Sequence, residues 1–266
     1  MLLAIDIGNT NVVLGVFEGK RLVENWRVAT KTQITPDDYA MILKDLFNFA
    51  GLEFRQIDGV IISTVVPPLL PVMTEMSKKY FHIDPLVVTH EIKAGIKIRY
   101  DNPKEIGADR IVNAAAAYRL YGGPVIIVDF GTATTFDVVS RQGEYLGGVI
   151  APGVMISCEA LFLKASKLPR VEIFAKPKSV IAKDTISSMN AGIIYGYVGL
   201  VDGIVSRIRE ALGREKVRVI ATGGLACLIA SETTSIDTVD DYLTLKGLKI
   251  IYDRNRPRRE ERGKGL

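Results

Sequence analysis

Two short segments carry the residue types that bind phosphate and metal. The first is Asp6-Ile7-Gly8-Asn9-Thr10-Asn11, which follows the apolar run Leu2 to Ile5. A strand that ends in a tight turn exposes successive backbone N–H groups, and a glycine there lets the backbone approach an anion with no Cβ in the way. Gly8 suits that task, and Asn9, Thr10 and Asn11 add side-chain donors. Asp6 by itself would repel phosphate, so its position calls for a divalent cation between carboxylate and phosphates, held directly or through water. Taken alone, the segment reads equally well as an ordinary hairpin turn. The second segment, Asp129-Phe130-Gly131-Thr132-Ala133-Thr134-Thr135, repeats the arrangement behind the apolar run Pro124 to Val128. Two such turns in duplicated halves can hold one nucleotide's phosphates from both sides. A third feature, Ala221-Thr222-Gly223-Gly224, ends another apolar strand and opens a helical pattern. Small residues there let an adenosine lie against the backbone, and a helix start favours anions. The chain has no P-loop and no protein-kinase set of motifs.

Strands and helices must hold these turns. Around Asp6, the runs Leu2 to Ile5, Asn11 to Phe17 and Leu22 to Val28 read as a three-stranded meander. Thr35-Pro36-Asp37-Asp38 opens a helix, with Thr35 as N-cap and an apolar face of Tyr39, Ile42, Leu43, Leu46, Phe47 and Phe49. A strand over Gly59 to Ser63, a helix over Pro67 to Tyr80 and a strand over Pro85 to Val88 follow. The pattern restarts at Pro124, with further strands over Thr135 to Ser140, Glu144 to Ile150 and Val217 to Ala221. Helical spacing covers Ser188 to Leu212 and Asp240 to Tyr252. Each half thus opens on an apolar strand, Asp-x-Gly, hydroxyl or amide residues and two more strands, which predicts a duplicated α/β domain. The expected division is 1–118 and 119–255, followed by a basic, disordered tail at 256–266.

Composition narrows the classes of function. Of 266 residues, 48% are hydrophobic and 24% charged, which suits a globular protein rather than a disordered one. The formal charge of +4 is small, and much of it lies in Arg254, Arg256, Arg258, Arg259, Arg262 and Lys264. No aromatic residues interleave with these, so the tail reads as a solvated terminus and no nucleic-acid partner is expected. Cys158 and Cys227 have no zinc spacing and are expected to be buried as small apolar groups. His82 and His90 lack ligand-spaced partners, and Trp26 and Tyr121 read as packing residues. The first apolar run is broken by Asp6, and no other stretch reads as long and charge-free enough to span a membrane, so the expected compartment is the cytoplasm.

Asp-x-Gly-x-Thr, Asp-x-Gly-Thr and a late Gly-Gly, in this order, resemble the superfamily of acetate and sugar kinases, heat-shock ATPases and actin. Several segments resemble the type III pantothenate kinases in particular. They are Asp6 to Asn11, Asn102-Pro103, Gly107-Ala-Asp-Arg110, Asp129 to Thr134, Gly147-Gly-Val-Ile-Ala-Pro-Gly153, Ala221 to Gly224 and Leu243-Thr-Leu-Lys-Gly-Leu248. The resemblance runs from residue 1 to about 255, with one departure at Asp237 to Tyr242, where a Val-Asp-Pro proline is missing. It implies two duplicated actin-like, ribonuclease H-like α/β domains with a cleft between them. It also implies transfer of the ATP γ-phosphoryl group to pantothenate, with Mg²⁺ and a monovalent cation, K⁺ or NH₄⁺, in a homodimer.

Residue by residue, the resemblance gives ATP and phosphate contacts to Asp6, Ile7, Gly8, Asn9, Thr10, Asn11, Val12, Val13, Thr132, Gly223 and Gly224. Substrate contacts fall on Tyr100, Gly107, Ala108, Asp109, Arg110 and Thr185, the last reaching across the dimer. Asp129 matches the monovalent-cation site, and Asp109 matches the catalytic base. The residues themselves allow that role, since a carboxylate beside Gly107 and Ala108 is sterically accessible. They also allow a simpler one, the N-cap of a helix over Ile111 to Tyr118. The guanidinium of Arg110 can pair bidentately with a carboxylate, or form a surface salt bridge. Other classes stay open at this point: a different small-molecule kinase of the superfamily, a transcriptional accessory factor, or an ATP-driven binding module. The last is disfavoured because no separate peptide-binding domain is present.

Overall fold

A computed structural model describes residues 1–170, 176–213 and 216–256. The elements in chain order are β1 (Leu2–Ile7), β2 (Asn11–Glu18), β3 (Arg21–Ala29), α1 (Pro36–Phe49), β4 (Gly59–Thr64), α2 (Leu69–Met76), β5 (Leu86–Val87), β6 (Lys97–Ile98) and α3 (Ala108–Tyr121). There follow β7 (Val125–Phe130), β8 (Ala133–Val139), β9 (Glu144–Pro152), α4 (Val154–Lys164), α5 (Thr185–Ala211), β10 (Arg218–Gly223), α6 (Ala226–Ala230), β11 (Thr238–Val239) and α7 (Leu243–Asn255).

The chain forms two compact units. The first holds Met1–Gly95, Lys104–Ala115 and the chain from Thr244 on; the second holds Ile96–Pro103 and Ala116–Leu243. Neither is a continuous stretch, because the chain returns to the first unit twice, at Lys104–Ala115 and again from Thr244.

The first unit's sheet has the order β3-β2-β1-β4-β5, with β1 antiparallel to β2 and parallel to β4. The second unit's sheet has the order β11-β10-β7-β8-β9-β6, with β7 antiparallel to β8 and parallel to β10. Read from β9, it repeats the first sheet strand for strand and adds β6 at the edge. The duplication expected from the two Asp-x-Gly openings is therefore present as topology. Both central strands, β1 and β7, have the burial pattern of strands covered on both faces, which is why they read as unbroken apolar runs.

Sequence chemistry explains where the elements begin. Thr35 caps α1: its hydroxyl accepts from the Asp38 N–H, and the Asp38 carboxylate accepts from the Thr35 N–H, a reciprocal capping box with Pro36 in the first turn. Tyr39, Ala40, Leu43 and Phe47 are the buried side of α1. Phe49, expected on that side, is 91% exposed. It lies two residues, about 200°, around the helix from Phe47. Helix α2 is shorter than the expected Pro67 to Tyr80 and continues as a π-helical turn over Ser77–Phe81. Trp26 stacks on Phe47 with ring centroids 5.6 Å apart, as a packing residue should.

Other expectations need correction. Cys158 is buried, but Cys227 is exposed. Helix α5 is long and apolar enough to cross a membrane, with a mean hydropathy of 1.3 over its best window, where no such stretch was expected. Its buried side, including Met189, Ile194, Tyr197, Val201 and Val205, lies in the core of the second unit. The apolarity of that side has a use within the domain. The tail beyond Arg256 lies outside the described residues.

Candidate active site

In the first unit, β1 runs into the turn that leads to β2. The Gly8 N–H donates to the Asn11 carbonyl (3.0 Å), closing the turn. A Cβ on Gly8 would lie 3.1 Å from that carbonyl oxygen, so a side chain there is tight. Thr30 braces the turn twice, through its N–H to the Thr10 carbonyl (3.0 Å) and its hydroxyl to the Gly8 carbonyl (2.6 Å). Asn9 and Thr10 are exposed at the tip, while Asp6 is partly buried at the strand's end. Ile7, Val12 and Val13 form the flanking ladder, with Ile7 opposite Val12 and Asp6 opposite Val13.

The Gly107–Arg110 segment belongs to the same unit. The Gly107 carbonyl accepts from the N–H groups of Arg110 (3.1 Å) and Ile111 (3.3 Å), so α3 begins at Ala108. Asp109 therefore lies inside the first turn and is not the N-cap of a helix starting at Ile111. Its carboxylate accepts from the Arg110 N–H at 2.8 Å. Burial pushes the Asp109 pKa above the ordinary carboxylate value; the Arg110 N–H and guanidinium pull the other way and do not cancel it.

Gly107 is needed beside Asp109. A Cβ on it would sit 2.4 Å from Asp109 Oδ1 and 3.5 Å from Val65 Cγ1. Val65 in turn donates its N–H to the Ile7 carbonyl (3.1 Å), which ties the ends of β1 and β4 together. The Asp6 turn and Asp109 thus converge at the carboxyl ends of two parallel strands, where open α/β sheets bind ligands. Arg110 is 7% exposed, too buried for a plain surface ion pair. Ala108 is buried beside it.

The second unit builds the matching turn. The Gly131 N–H donates to the Ala133 carbonyl (3.1 Å), and Asp129 is partly exposed where β7 ends. A Cβ on Gly153 would fall 2.1 Å from the Thr132 carbonyl oxygen, so the turn's backbone rests directly on that glycine. Gly223 has φ +94°, and a Cβ there would lie 2.7 Å from Asp129 Oδ1. The Gly223-Gly224 turn and Asp129 are thus brought together, with Thr132 on the same hairpin. Tyr100 lies over β9: its ring centroid is 6.2 Å from that of Tyr145. Thr185 stands elsewhere in the unit, the exposed first residue of α5, on an open groove of about 790 Å³ lined also by Leu161, Leu168, Lys183 and Ser188.

These donors fit some cations and not others. Among the described residues no three His, Cys, Asp or Glu side chains gather into a metal cage. One carboxylate beside an anion-binding turn suits Mg²⁺, which keeps waters and takes its other ligands from phosphates. Asp129, an oxygen donor with backbone packed against it, suits a hard monovalent cation in the same way. Sequence reasoning missed Thr30 and Gly153, which brace the two turns, and Ser63, which is in register with Asp6 on β4. The signal for Gly153 was at hand in the run Gly147 to Gly153.

The two repeated sheets and their turns define a duplicated, actin-like α/β fold. Among solved structures, a Campylobacter jejuni protein described as a Baf family transcriptional activator matches with a TM-score of 0.60 at 18% identity, covering 95% of this chain and 98% of that one. A 2-dehydro-3-deoxygalactonokinase from Sinorhizobium meliloti matches with a TM-score of 0.55 at 13% identity, covering 98% of both chains. At such identities these likenesses establish the fold alone. Sequence goes further: the profile of the type III pantothenate kinases matches residues 2–207. A type III pantothenate kinase of Syntrophobacter fumaroxidans is 60% identical over 256 residues, 96% of this chain and 99% of that one. The chain belongs to the type III pantothenate kinase family.

Proposed function

We propose that the chain transfers the γ-phosphoryl group of ATP to the primary hydroxyl of pantothenate, giving 4'-phosphopantothenate at the start of coenzyme A biosynthesis. The observation that carries the reading is Asp109: a carboxylate of raised pKa, held at the first turn of α3 and tied through Gly107 and Val65 to the end of the phosphate-binding turn. The base accepts the proton of the attacking hydroxyl at its free carboxylate oxygen, while the Arg110 N–H holds Oδ1. A carboxylate of raised pKa is a stronger base than an ordinary one. Phosphoryl transfer otherwise needs positioning and charge neutralisation.

The backbone of the Asp6 and Asp129 turns supplies N–H donors to phosphate oxygens, and Gly223 and Gly224 give adenosine a flat approach. Asp6 would hold Mg²⁺, directly or through water, and Asp129 a K⁺ or NH₄⁺ ion; bound there, the cations neutralise charge on the phosphates. Arg110 pairs with the pantothenate carboxylate, with Gly107 and Ala108 beside it in the same unit, and the family resemblance adds Tyr100 as a substrate contact.

The working form we infer is a cytoplasmic homodimer in which Thr185 contacts the other subunit's substrate. Its support is an apolar surface on the second unit. Among the described residues, ten of the fourteen exposed large apolar side chains fall between 146 and 186, including Leu146, Ile150, Ile156, Leu163 and Ile186. Exposed apolar side chains in such number suit a surface that another subunit covers. Among the described residues, nothing beyond the helix's own backbone and chain neighbours lies within 4 Å of a Cβ placed on Gly192, Gly196 or Gly199, so α5 also offers backbone for close approach.

ADP release measured with pantothenate, hexoses and acetate in turn tests the substrate. Turnover with pantothenate alone is expected. Equal or faster turnover with a hexose or acetate would assign the chain to a different small-molecule kinase activity.

A further inference from the structure

The turn after β1 is gripped by a residue 22 positions away in sequence. Thr30, just past the end of β3, donates its hydroxyl to the Gly8 carbonyl at 2.6 Å and its N–H to the Thr10 carbonyl at 3.0 Å. The hydroxyl bond is part-buried and on the short side for an O–H···O contact. The two bonds come from one residue and hold the chain on both sides of Asn9, which is exposed at the tip of the turn.

Peptide geometry turns that grip into an aim. A trans peptide is planar, and its C=O and N–H point in opposite directions. The Gly8–Asn9 peptide has its carbonyl drawn to the Thr30 hydroxyl, so the Asn9 N–H faces away from Thr30. Glycine leaves the backbone at Gly8 free to rotate, and without the Thr30 bond the same peptide could turn its oxygen to that side instead. An N–H attracts a phosphate oxygen and a carbonyl repels it. The Gly8 N–H does not replace the Asn9 group, since it is spent on the Asn11 carbonyl at 3.0 Å.

We propose that Thr30 is a positioning residue for the nucleotide: by holding the Gly8 carbonyl, its hydroxyl keeps the Asn9 N–H turned toward a phosphate oxygen of ATP. This role rests on the reading of the Asp6 turn as a phosphate site. Thr30 touches no ligand itself. It fixes the donor before ATP arrives, so less ordering is left to be done on binding.

Calorimetric titration of Mg·ATP and of adenosine into the full chain, together with initial rates, tests it on Thr30→Val, Thr30→Ser and Gly8→Ala. Thr30→Val keeps the branched shape and the backbone N–H and removes only the hydroxyl. It is expected to weaken binding of Mg·ATP by about three- to tenfold, the effect of one hydrogen bond. KM for ATP should rise alike, KM for pantothenate should hold, and adenosine, which has no phosphate, should bind as to the parent. Thr30→Ser keeps the hydroxyl and should bind Mg·ATP as the parent does. Parent-like Mg·ATP binding in Thr30→Val, with Gly8→Ala weakened by a Cβ 3.1 Å from the Asn11 carbonyl, would overturn the role of Thr30 and leave the phosphate turn standing. Parent-like binding in both would overturn the two together. Equal loss for Mg·ATP and adenosine, or a Thr30→Ser variant as weak as Thr30→Val, would show that Thr30 serves the fold alone.

Discussion

Replacing Asp109 by Asn keeps the side chain's shape and removes its charge, and it should separate function from stability. Loss of a positioned base lowers kcat by about 10²–10⁴, or roughly 3–5.5 kcal/mol in the barrier. The stability effect has the opposite sign. Burial raises the Asp109 pKa in the folded chain above its unfolded value. The folded state then binds the proton more tightly, so this group's contribution is fully present below the unfolded pKa of about 3.9 and is lost as pH rises through the raised folded value. Once ionised, the wild-type group is a carboxylate where burial disfavours it, and Asn removes that penalty. Against this, the carboxylate accepts the Arg110 N–H at 2.8 Å and sits at a helix N-terminus, an arrangement worth about 0.3–1 kcal/mol. The Asn variant should therefore melt at or above the wild-type temperature at pH 8, with its advantage shrinking toward pH 4. Steady-state ADP release and melts across that pH range measure both quantities. The wild-type acid limb of kcat/KM should lie above the range of an ordinary aspartate. Near-normal turnover in Asp109→Asn would refute the assignment of the base. A large drop in melting temperature at pH 8 would refute the stated cause of the pKa shift.

Gly107→Ala should cut kcat by about 10², because its Cβ would lie 2.4 Å from Asp109 Oδ1 and displace the carboxylate, while the melting temperature changes little. Arg110→Ala should cost about 2–3 kcal/mol in kcat/KM for pantothenate and leave KM for ATP nearly unchanged, as judged by initial rates; equal loss for both would make Arg110 a phosphate or fold residue. Asp129→Asn should weaken activation by potassium relative to sodium, seen by titrating each ion at fixed Mg·ATP; wild-type response would move the cation elsewhere. Mixing Asp109→Asn with Thr185→Arg under conditions of subunit exchange should restore part of the activity, since a mixed dimer holds one site free of both changes; no recovery would mean that each chain builds its own pocket.

Much of the fold was legible because its signals are local. The strands β1 and β7 are short apolar runs stopped by Asp-x-Gly, and the repeated order of strands follows from that duplication. Thr35, Pro36 and Asp38 announced α1 through capping chemistry. The misses have physical causes too. Phe49 is apolar but lies on the wrong side of α1, a matter of helical phase near a terminus. The strands β6 and β11 have two residues each, too few for any periodicity. Helix α5 carries four glycines and a buried side, so its composition says little about whether it crosses a membrane or fills a core. At the site, types and spacing offered Asp6 and Asp129 as candidates, while Asp109 as a base came with the family resemblance. Thr30 and Ser63 were invisible because each stands beside a turn residue distant in sequence: Gly8, 22 residues away, and Asp6, across a strand pair. The start of α3 was misjudged because Gly107, a poor helix former, caps it with its carbonyl alone.

The most direct measurement is the fate of the γ-phosphoryl group. Phosphorus NMR of the full chain turning over ATP with pantothenate, Mg²⁺ and K⁺ distinguishes a phosphate ester from free phosphate. The site described predicts one new phosphomonoester resonance on pantothenate, growing in step with ADP and abolished in Asp109→Asn. ADP accompanied by inorganic phosphate, or ester formation that survives the loss of Asp109, would contradict it.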